Sequence, residues 1–237
     1  MINIKIAGLT VEIDNKYPNI EYAAVDYLTD KKADFSVVAT PDDIKAERDA
    51  ANTDYPDAYY ESTALYRKIA EKIAEYDGFL FHGSVIDFGG KAYVITASSG
   101  VGKTTHTRLW LSEFGDEVSI INGDKPIIRF IDGTPYACGT PWMGKEGYGK
   151  NVMRQLGGFI FLSRGEKNNA KEISVSDALV RFMTQIYLPK KNKMNLLKTM
   201  QLADRVIKSS TLIHLECNMD KEAAHVCRAA IEGTNLG

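Results

Sequence analysis

The first part of the chain alternates hydrophobic and polar residues with the period of two that is typical of β-strands. Residues 2–13 predict a short hairpin, and residues 34–39 predict a further strand. From 58 to 75, apolar residues recur instead at helical spacing, and Asp77 followed by glycine is expected to end this helix. The pattern therefore predicts a small α+β start followed by an amphipathic helix.

Strands and helices alternate along the remainder of the chain. Two strand-like runs, 79–88 and 91–96, are separated by Gly89-Gly90, which predicts a hairpin. The elements predicted beyond them are a helix at 104–114, strands at 118–122, 127–131, 136–138 and 157–162, helices at 176–187 and 195–208, a strand at 211–216 and a helix at 221–231.

Residues 41–57 interrupt this pattern because they combine two prolines with a high density of acidic side chains. We interpret them as a candidate domain boundary. The prediction is a small α+β segment at 1–57 and a principal domain at 58–237. A chain of 237 residues that is 44% hydrophobic can form one sizeable core with a small appendage.

Charge and composition exclude several classes of partner. The 29 basic and 31 acidic residues leave a formal charge of −2, so no positive field favours nucleic acid or an anionic membrane. No apolar run approaches the roughly 20 residues of a membrane span, and the N-terminus does not resemble a signal peptide. Cys138, Cys217 and Cys227 lack metal-site spacing and are interpreted as reduced thiols. We therefore expect a cytoplasmic protein without nucleic-acid or membrane partners.

The most specific signal is a glycine-rich segment between the strand predicted at 91–96 and the helix predicted at 104–114. Its sequence is Ala97-Ser98-Ser99-Gly100-Val101-Gly102-Lys103-Thr104. Backbone N–H groups of such a loop can surround phosphate oxygens, and the following helix N-terminus favours negative charge. The predicted nucleotide-binding residues are Ser98, Ser99, Gly100, Val101, Gly102, Lys103, Thr104 and Thr105.

Two residues at the end of this loop have distinct chemical roles. Lys103 would bridge the β and γ phosphates of ATP, and the hydroxyl of Thr104 would ligate Mg²⁺. The strict motif begins with glycine, whereas this chain has Ala97, which is the mildest replacement. The alternative interpretation is a glycine-rich turn that merely joins a strand to a helix.

Three segments resemble one protein family. They are His82-Gly83 ahead of the loop, the loop itself, and Ile121-Asn122-Gly123-Asp124-Lys125 after the next strand. Over residues 79 to 165 they are similar to the HPr kinase/phosphorylase catalytic domain and its relatives. The resemblance implies an α/β P-loop fold of the phosphoenolpyruvate-carboxykinase-like type, with a mixed sheet flanked by helices, and it implies ATP and Mg²⁺ as cofactors.

The chain resembles in particular the shorter HPr-kinase-related proteins that carry a Gly-Thr-Pro-Trp segment, here Gly139-Thr140-Pro141-Trp142. It lacks the longer signature of true HPr kinases, and the N-terminal 60 residues are too short for their full regulatory domain. These two departures argue against HPr itself as the substrate. In true HPr kinases the first Asp of a pair is taken as the base that accepts the serine proton, and Gly123 stands at that place here.

The predicted catalytic residues are Asp124, His82, Lys103 and Glu146, and the predicted metal ligands are Thr104 and Asp124. Asp124 at a strand end could bind Mg²⁺ or act as general base, or it could be a turn residue. His82 could bind a phosphate oxygen or the attacking group, or be structural. Glu146 could supply the acidic group that Gly123 lacks, or lie in a solvated loop.

Other residues are weaker candidates. Arg129 and Arg154 could add positive charge near phosphates, although surface arginines are common. Trp142 could stack on a substrate, but a position in the core is the favoured interpretation.

The leading functional prediction is an ATP-dependent kinase that transfers the γ-phosphoryl group to a hydroxyl of a protein, a peptide or a small molecule. One alternative is a nucleotide-binding sensor or scaffold without catalysis, motivated by Gly123. A decarboxylase similar to phosphoenolpyruvate carboxykinase is less favoured because the chain is short. The resemblance makes a homo-oligomer plausible. The sequence identifies neither the hydroxyl acceptor nor the preferred nucleotide base.

Overall fold

The computed structural model describes residues 1–234, and the N-terminal part of this range forms a small sheet. Strands β1 (Ile2–Ile6) and β2 (Leu9–Asp14) pair as an antiparallel hairpin, and β3 (Phe35–Val38) lies parallel to β2. Ala7 and Gly8 form the turn with positive φ angles of 49° and 78°, as a two-residue hairpin turn requires. The hairpin and the third strand predicted from the sequence are confirmed.

Nine strands of the described residues form a second, mixed sheet. They are β4 (Gly78–Leu80), β5 (Ser84–Phe88), β6 (Lys91–Thr96), β7 (Val118–Asn122), β8 (Ile127–Ile131), β9 (Thr134–Cys138), β10 (Met153–Arg164), β11 (Asn169–Glu172) and β12 (Thr211–Cys217). The order is β4-β8-β9-β10-β6-β5-β7, with β12 between β10 and β11. Because β5 runs antiparallel to both β6 and β7, its first residue lies at the edge where those two strands end.

Helices cover both faces of this sheet. Within residues 1–234 they are α1 (Asn19–Ala23), α2 (Pro41–Asp49), α3 (Asp57–Ile73), α4 (Lys103–Phe114), α5 (Val175–Met183), α6 (Lys193–Ser209) and α7 (Glu222–Thr234). Alternate residues of β6 face opposite sides: Tyr93 and Ile95 join the core under α4 and α7, whereas Val94 joins the core under α5 and α6. The predicted α/β fold, with a mixed sheet flanked by helices and a small α+β unit at the N-terminus, is confirmed.

One element prediction is wrong, and one segment contains a helix that was not predicted. The run 79–88 is not one strand, because the chain bends at residues 81–83 and the two halves pair with different strands, β8 and β6. The candidate boundary at 41–57 contains α2, which begins with Thr40 in a reciprocal capping box with Asp43. The acidic residues of this segment therefore include helix-starting residues as well as linker residues.

The N-terminal sheet shares a core with the rest of the molecule. Ile4, Ile6 and Val11 of the small sheet belong to one buried cluster with Leu65 and Ile69 of α3. The division at residue 57 therefore crosses a continuous hydrophobic core, and whether the two parts are separate domains stays a prediction.

Among residues 1–234, no helix combines the length and the apolar character that a membrane span requires.

The three cysteines are free thiols, and burial raises the pKa of Cys138 to about 12. These thiols are therefore protonated at neutral pH where they are buried, in keeping with a structural role.

Candidate functional site

The glycine-rich loop connects the end of β6 to the start of α4. Gly100 and Gly102 have φ angles of 77° and 127°, which side-chain-bearing residues rarely adopt. An added Cβ at either position would meet no neighbouring atom, so the backbone conformation, not space, requires glycine. Ala97 is not among the residues with positive φ in the described chain, which explains why alanine can stand where the strict motif has glycine.

Lys103 lies folded over this loop. Its Nζ donates a hydrogen bond to the carbonyl oxygen of Ala97 at 3.3 Å. Burial lowers the pKa of the Lys103 ammonium, while the nearby Asp124 carboxylate acts in the opposite direction. The ammonium therefore lies between the loop and the carboxylate that follows β7.

A cleft of about 1050 Å³ lies between the loop, the end of β7, α3 and the segment 141–148. It brings together most of the predicted site residues, namely His82, Ser99, Gly100, Gly102, Lys103, Thr104, Thr105, Asp124 and Glu146. Ser98 and Val101 instead line a second cavity of about 520 Å³ on the other side of the loop. The loop thus separates two cavities, and the predicted catalytic residues line the larger one.

Asn122 positions Asp124. The side-chain oxygen of Asn122 accepts hydrogen bonds from the backbone N–H groups of Asp124 at 2.9 Å and Lys125 at 2.7 Å. Its amide nitrogen donates to the carbonyl oxygen of Thr140 at 3.0 Å, and the side chain is fully buried. This turn directs the Asp124 carboxylate towards the cleft. Sequence reasoning missed the role of Asn122, although an Asn before Gly-Asp at a strand end is a turn signal.

The Asp124 carboxylate has two cationic or hydrogen-bonding neighbours. Its Oδ1 lies 3.2 Å from Nε2 of His82, and its Oδ2 lies 3.5 Å from Nζ of Lys125. Burial alone would raise the pKa of Asp124, but the hydrogen bond from His82 and the charge of Lys125 lower it below its ordinary value. The carboxylate is therefore ionised at neutral pH.

Gly123 occupies a position where no side chain fits. A Cβ at this residue would lie 2.5 Å from the carbonyl oxygen of Met143 and 3.2 Å from that of Tyr148. The backbone of the segment 141–148 therefore fills the space that an acidic side chain would need. Asp124 is left as the carboxylate at the end of β7.

Glu146 lines the cleft but pairs with a different group. Its carboxylate forms an ion pair with Arg108 of α4. The guanidinium of Arg108 also hydrogen-bonds Tyr148, and these partners raise its pKa. Glu146 is thus paired with Arg108 of α4. That it supplies a second acidic group in place of Gly123 stays a prediction.

The other basic candidates lie outside the cleft. Arg129 donates hydrogen bonds to the carbonyl oxygens of Tyr76 at 2.8 Å and Ala7 at 2.7 Å. Arg154 pairs with Asp87 at 2.6 Å. Both guanidinium groups hold neighbouring segments together, and neither residue lines the cleft.

The cleft wall opposite the loop was not predicted. It is formed by Tyr55, two residues before α3, and by the α3 residues Tyr59, Ser62, Thr63, Tyr66 and Arg67. Trp142 connects the segment 141–148 to this wall, because its Nε1 donates to the carbonyl oxygen of Ser62 at 3.1 Å. Trp142 is half-buried and packs against the core near Tyr66. The spacing of Tyr59, Ser62 and Tyr66 on one helix face is a sequence signal that could have identified this wall.

No model of a protein family and no curated protein matches the chain. Among solved structures, the chain is similar to the Hpr(Ser) kinase/phosphatase from Coxiella burnetii, with 8% sequence identity and a TM-score of 0.40. The match covers 66% of this chain and 90% of that protein. At this level the similarity says nothing about activity, ligand or site residues.

Proposed function

We propose that this protein is an ATP-dependent kinase that transfers the γ-phosphoryl group of ATP to a hydroxyl group. The observation that carries this proposal is that one cleft holds Lys103 of the glycine-rich loop together with His82 and Asp124. Nε2 of His82 lies 3.2 Å from Oδ1 of Asp124. Phosphoryl transfer requires positioned phosphates, positive charge and a carboxylate near the attacking oxygen. All three requirements have a candidate residue in this cleft.

The phosphates of ATP would bind at the loop and at the N-terminus of α4. Backbone N–H groups of the loop can point at phosphate oxygens because Gly100 and Gly102 adopt positive φ angles. The Lys103 ammonium, now bound to the Ala97 carbonyl oxygen, would exchange that acceptor for the β and γ phosphates.

The donor set of the cleft fits Mg²⁺. Residues 1–234 contain no group of three or more His, Cys, Asp and Glu side chains that could hold a metal by themselves. Mg²⁺ beside a nucleotide needs only one or two protein oxygen ligands together with phosphates and water. The exposed hydroxyl of Thr104 and the ionised carboxylate of Asp124 are suitable ligands. When bound there, Mg²⁺ would neutralise negative charge on the transferred group.

The transfer itself needs few protein groups. The acceptor oxygen forms a bond to the γ phosphorus while the bond from that phosphorus to the bridging oxygen of the β phosphate breaks, which releases ADP. The hydroxyl proton passes to the Asp124 carboxylate, which is ionised at neutral pH. Ligand pockets typically measure about 300–1,000 Å³, so the cleft of about 1050 Å³ has room for an acceptor beside ATP. The acceptor would lie against the α3 wall.

Substitution of Asp124 tests the proposal. Asp124→Asn keeps the shape of the side chain but cannot take a proton, so ADP release and phosphoryl transfer should fall by about 10²–10⁴-fold. The matched control is Asp132→Asn in the exposed β8–β9 turn, where asparagine tolerates the positive φ of 49°. Unchanged turnover in Asp124→Asn would contradict the proposed role.

A nucleotide-binding sensor is the second candidate, and Gly123 favours it because the site has one carboxylate where a catalytic pair could stand. Under that alternative, wild-type protein would bind ATP but release no ADP with any hydroxyl acceptor. The same assays therefore separate the two functions.

A further inference from the structure

A chain of hydrogen bonds connects the end of α5 to His82. The hydroxyl of Thr184 donates to the carbonyl oxygen of Arg181 at 2.8 Å. The side-chain nitrogen of Gln185 donates to the Thr184 hydroxyl oxygen at 3.1 Å. The side-chain oxygen of Gln185 lies 2.9 Å from Nδ1 of His82.

This chain fixes the direction of each hydrogen bond. A hydroxyl has one proton, and since that of Thr184 is given to Arg181, its oxygen can only accept from Gln185. The amide nitrogen of Gln185 must therefore face Thr184, and the amide oxygen must face His82. The ring of His82 is thereby placed between two oxygens, with Nδ1 facing the side-chain oxygen of Gln185 and Nε2 facing Asp124 at 3.2 Å.

The backbone of His82 is held from both sides as well. Its N–H donates to the carbonyl oxygen of Gln185 at 2.8 Å, and its carbonyl oxygen accepts from the hydroxyl of Thr96 at 3.0 Å. Residue 185 thus holds both the main chain and the ring of His82. Gln185 itself lines the smaller cavity and not the cleft, so any effect on the cleft passes through His82.

We infer that Gln185 is a positioning residue for His82. It sets the orientation of the ring, and it thereby presents Nε2 to Asp124 and to the cleft. A hydrogen bond at one ring nitrogen of a histidine commonly orients the other ring nitrogen towards its partner. The inference rests on the proposed kinase function for its kinetic effect, but the orientation of the ring is independent of activity.

The kinetic experiment compares Gln185→Leu, which removes the acceptor, with Gln185→Glu, which keeps one. Gln185→Leu should lower kcat for ADP release by about 10-fold or more while the KM for ATP stays within about 3-fold, and Gln185→Glu should recover most of kcat. In the background of His82→Ala, Gln185→Leu should have no further effect. An equal loss in both backgrounds, or an unchanged kcat in Gln185→Leu, would overturn the inference.

A spectroscopic experiment tests the contact without any assay of activity. Long-range ¹H–¹⁵N spectra of ¹⁵N-histidine protein, assigned by comparison with His82→Ala, report the surroundings of the His82 ring. The inference predicts that the ring signals of His82 shift in Gln185→Leu. Unchanged ring signals in Gln185→Leu would overturn it. If ADP release were absent while these signals shifted, the kinase proposal would fail and the positioning of His82 by Gln185 would stand.

Discussion

At the scale of single residues, Gly123 illustrates how the site is constrained by a contact with a distant part of the chain. The carbonyl oxygen of Met143 lies 2.5 Å from where a Cβ of residue 123 would be. The Ser84 hydroxyl also donates to the carbonyl oxygen of Gly123 at 2.8 Å. The end of β7 is therefore fixed between the start of β5 and the segment 141–148, and a side chain here would displace backbone.

Gly123→Ala should destabilise the protein because the methyl group overlaps the Met143 carbonyl oxygen. We expect a loss of about 1–3 kcal/mol in the free energy of unfolding, measured by denaturant titration. The control is Gly233→Ala in α7, where a Cβ meets no neighbouring atom and alanine should be neutral or stabilising by up to about 1 kcal/mol. Equal stability of Gly123→Ala and wild type would refute the steric explanation.

Sequence reasoning identified the residues of the site better than their contacts. The spacing of the loop and the position of Asp124 after a strand were sufficient to place Lys103 and Asp124 in one cleft. The pairing of His82 with Gln185 joins residues 103 positions apart, and no local pattern carries it. Likewise, the sequence shows a glycine at 123, but only the fold shows which backbone atoms exclude a side chain there.

At the scale of elements, α2 shows how a short polar segment becomes a helix. The Thr40 hydroxyl accepts from the N–H of Asp43, and the Asp43 carboxylate accepts from the N–H of Thr40 at 3.0 Å. Lys68 of α3 adds an ion pair to Asp43 at 2.7 Å. Burial alone would raise the pKa of Asp43, but the hydrogen bonds from Lys68 and Thr40 lower it to about 2.

The lowered pKa of Asp43 predicts a pH dependence of stability. A carboxyl group with a folded pKa of about 2 and an ordinary value of 3.8 stabilises the fold above pH 3.8, and this contribution is lost as the pH falls towards 2. Asp43→Asn keeps an oxygen that can accept from the N–H of Thr40 but loses the charge that pairs with Lys68, so it should lower stability at pH 7 by up to about 1 kcal/mol. Its difference from wild type should shrink between pH 4 and pH 2. Thermal unfolding across this range measures the effect, and a difference that does not change with pH would contradict it.

Elements with strong periodicity were predicted well, and elements without it were not. The strands that precede the glycine-rich loop and Asp124 have clear apolar patterns and were found where expected. Strand β11, with the sequence Asn-Ala-Lys-Glu, was missed because it is an edge strand whose stability comes from pairing with β12. The split between β4 and β5 was missed because both halves are apolar and only their partner strands differ.

At the scale of the whole molecule, a buried carboxylate joins the N-terminal unit to α3. Glu61 is 2% exposed, and its two oxygens accept hydrogen bonds from the backbone N–H groups of Lys16 at 2.7 Å and Tyr17 at 2.9 Å. Since α3 also forms one wall of the cleft, this contact connects the small sheet to the candidate site.

Glu61→Met should remove this contact and lower the free energy of unfolding. The substitution keeps the approximate volume but removes the acceptor of two partly buried N–H groups, at a cost of about 1 kcal/mol each. Glu172→Met on the exposed strand β11 is the control and should change stability by less than about 0.5 kcal/mol. Equal unfolding free energies for Glu61→Met and wild type would mean that the contact does not stabilise the fold.

The measurement that tests the central claim most directly is calorimetric titration of ATP with Mg²⁺ into wild type and Lys103→Ala, with ADP release assayed on the same samples. Lys91→Ala at the exposed first residue of β6 serves as the control. The proposed function predicts ATP binding and ADP release in wild type and in Lys91→Ala. It predicts at least about 10-fold weaker binding in Lys103→Ala, a loss of about 1.4 kcal/mol. Absence of ATP binding in the wild type, or equal binding in Lys103→Ala, would contradict the assignment of the loop as a nucleotide site.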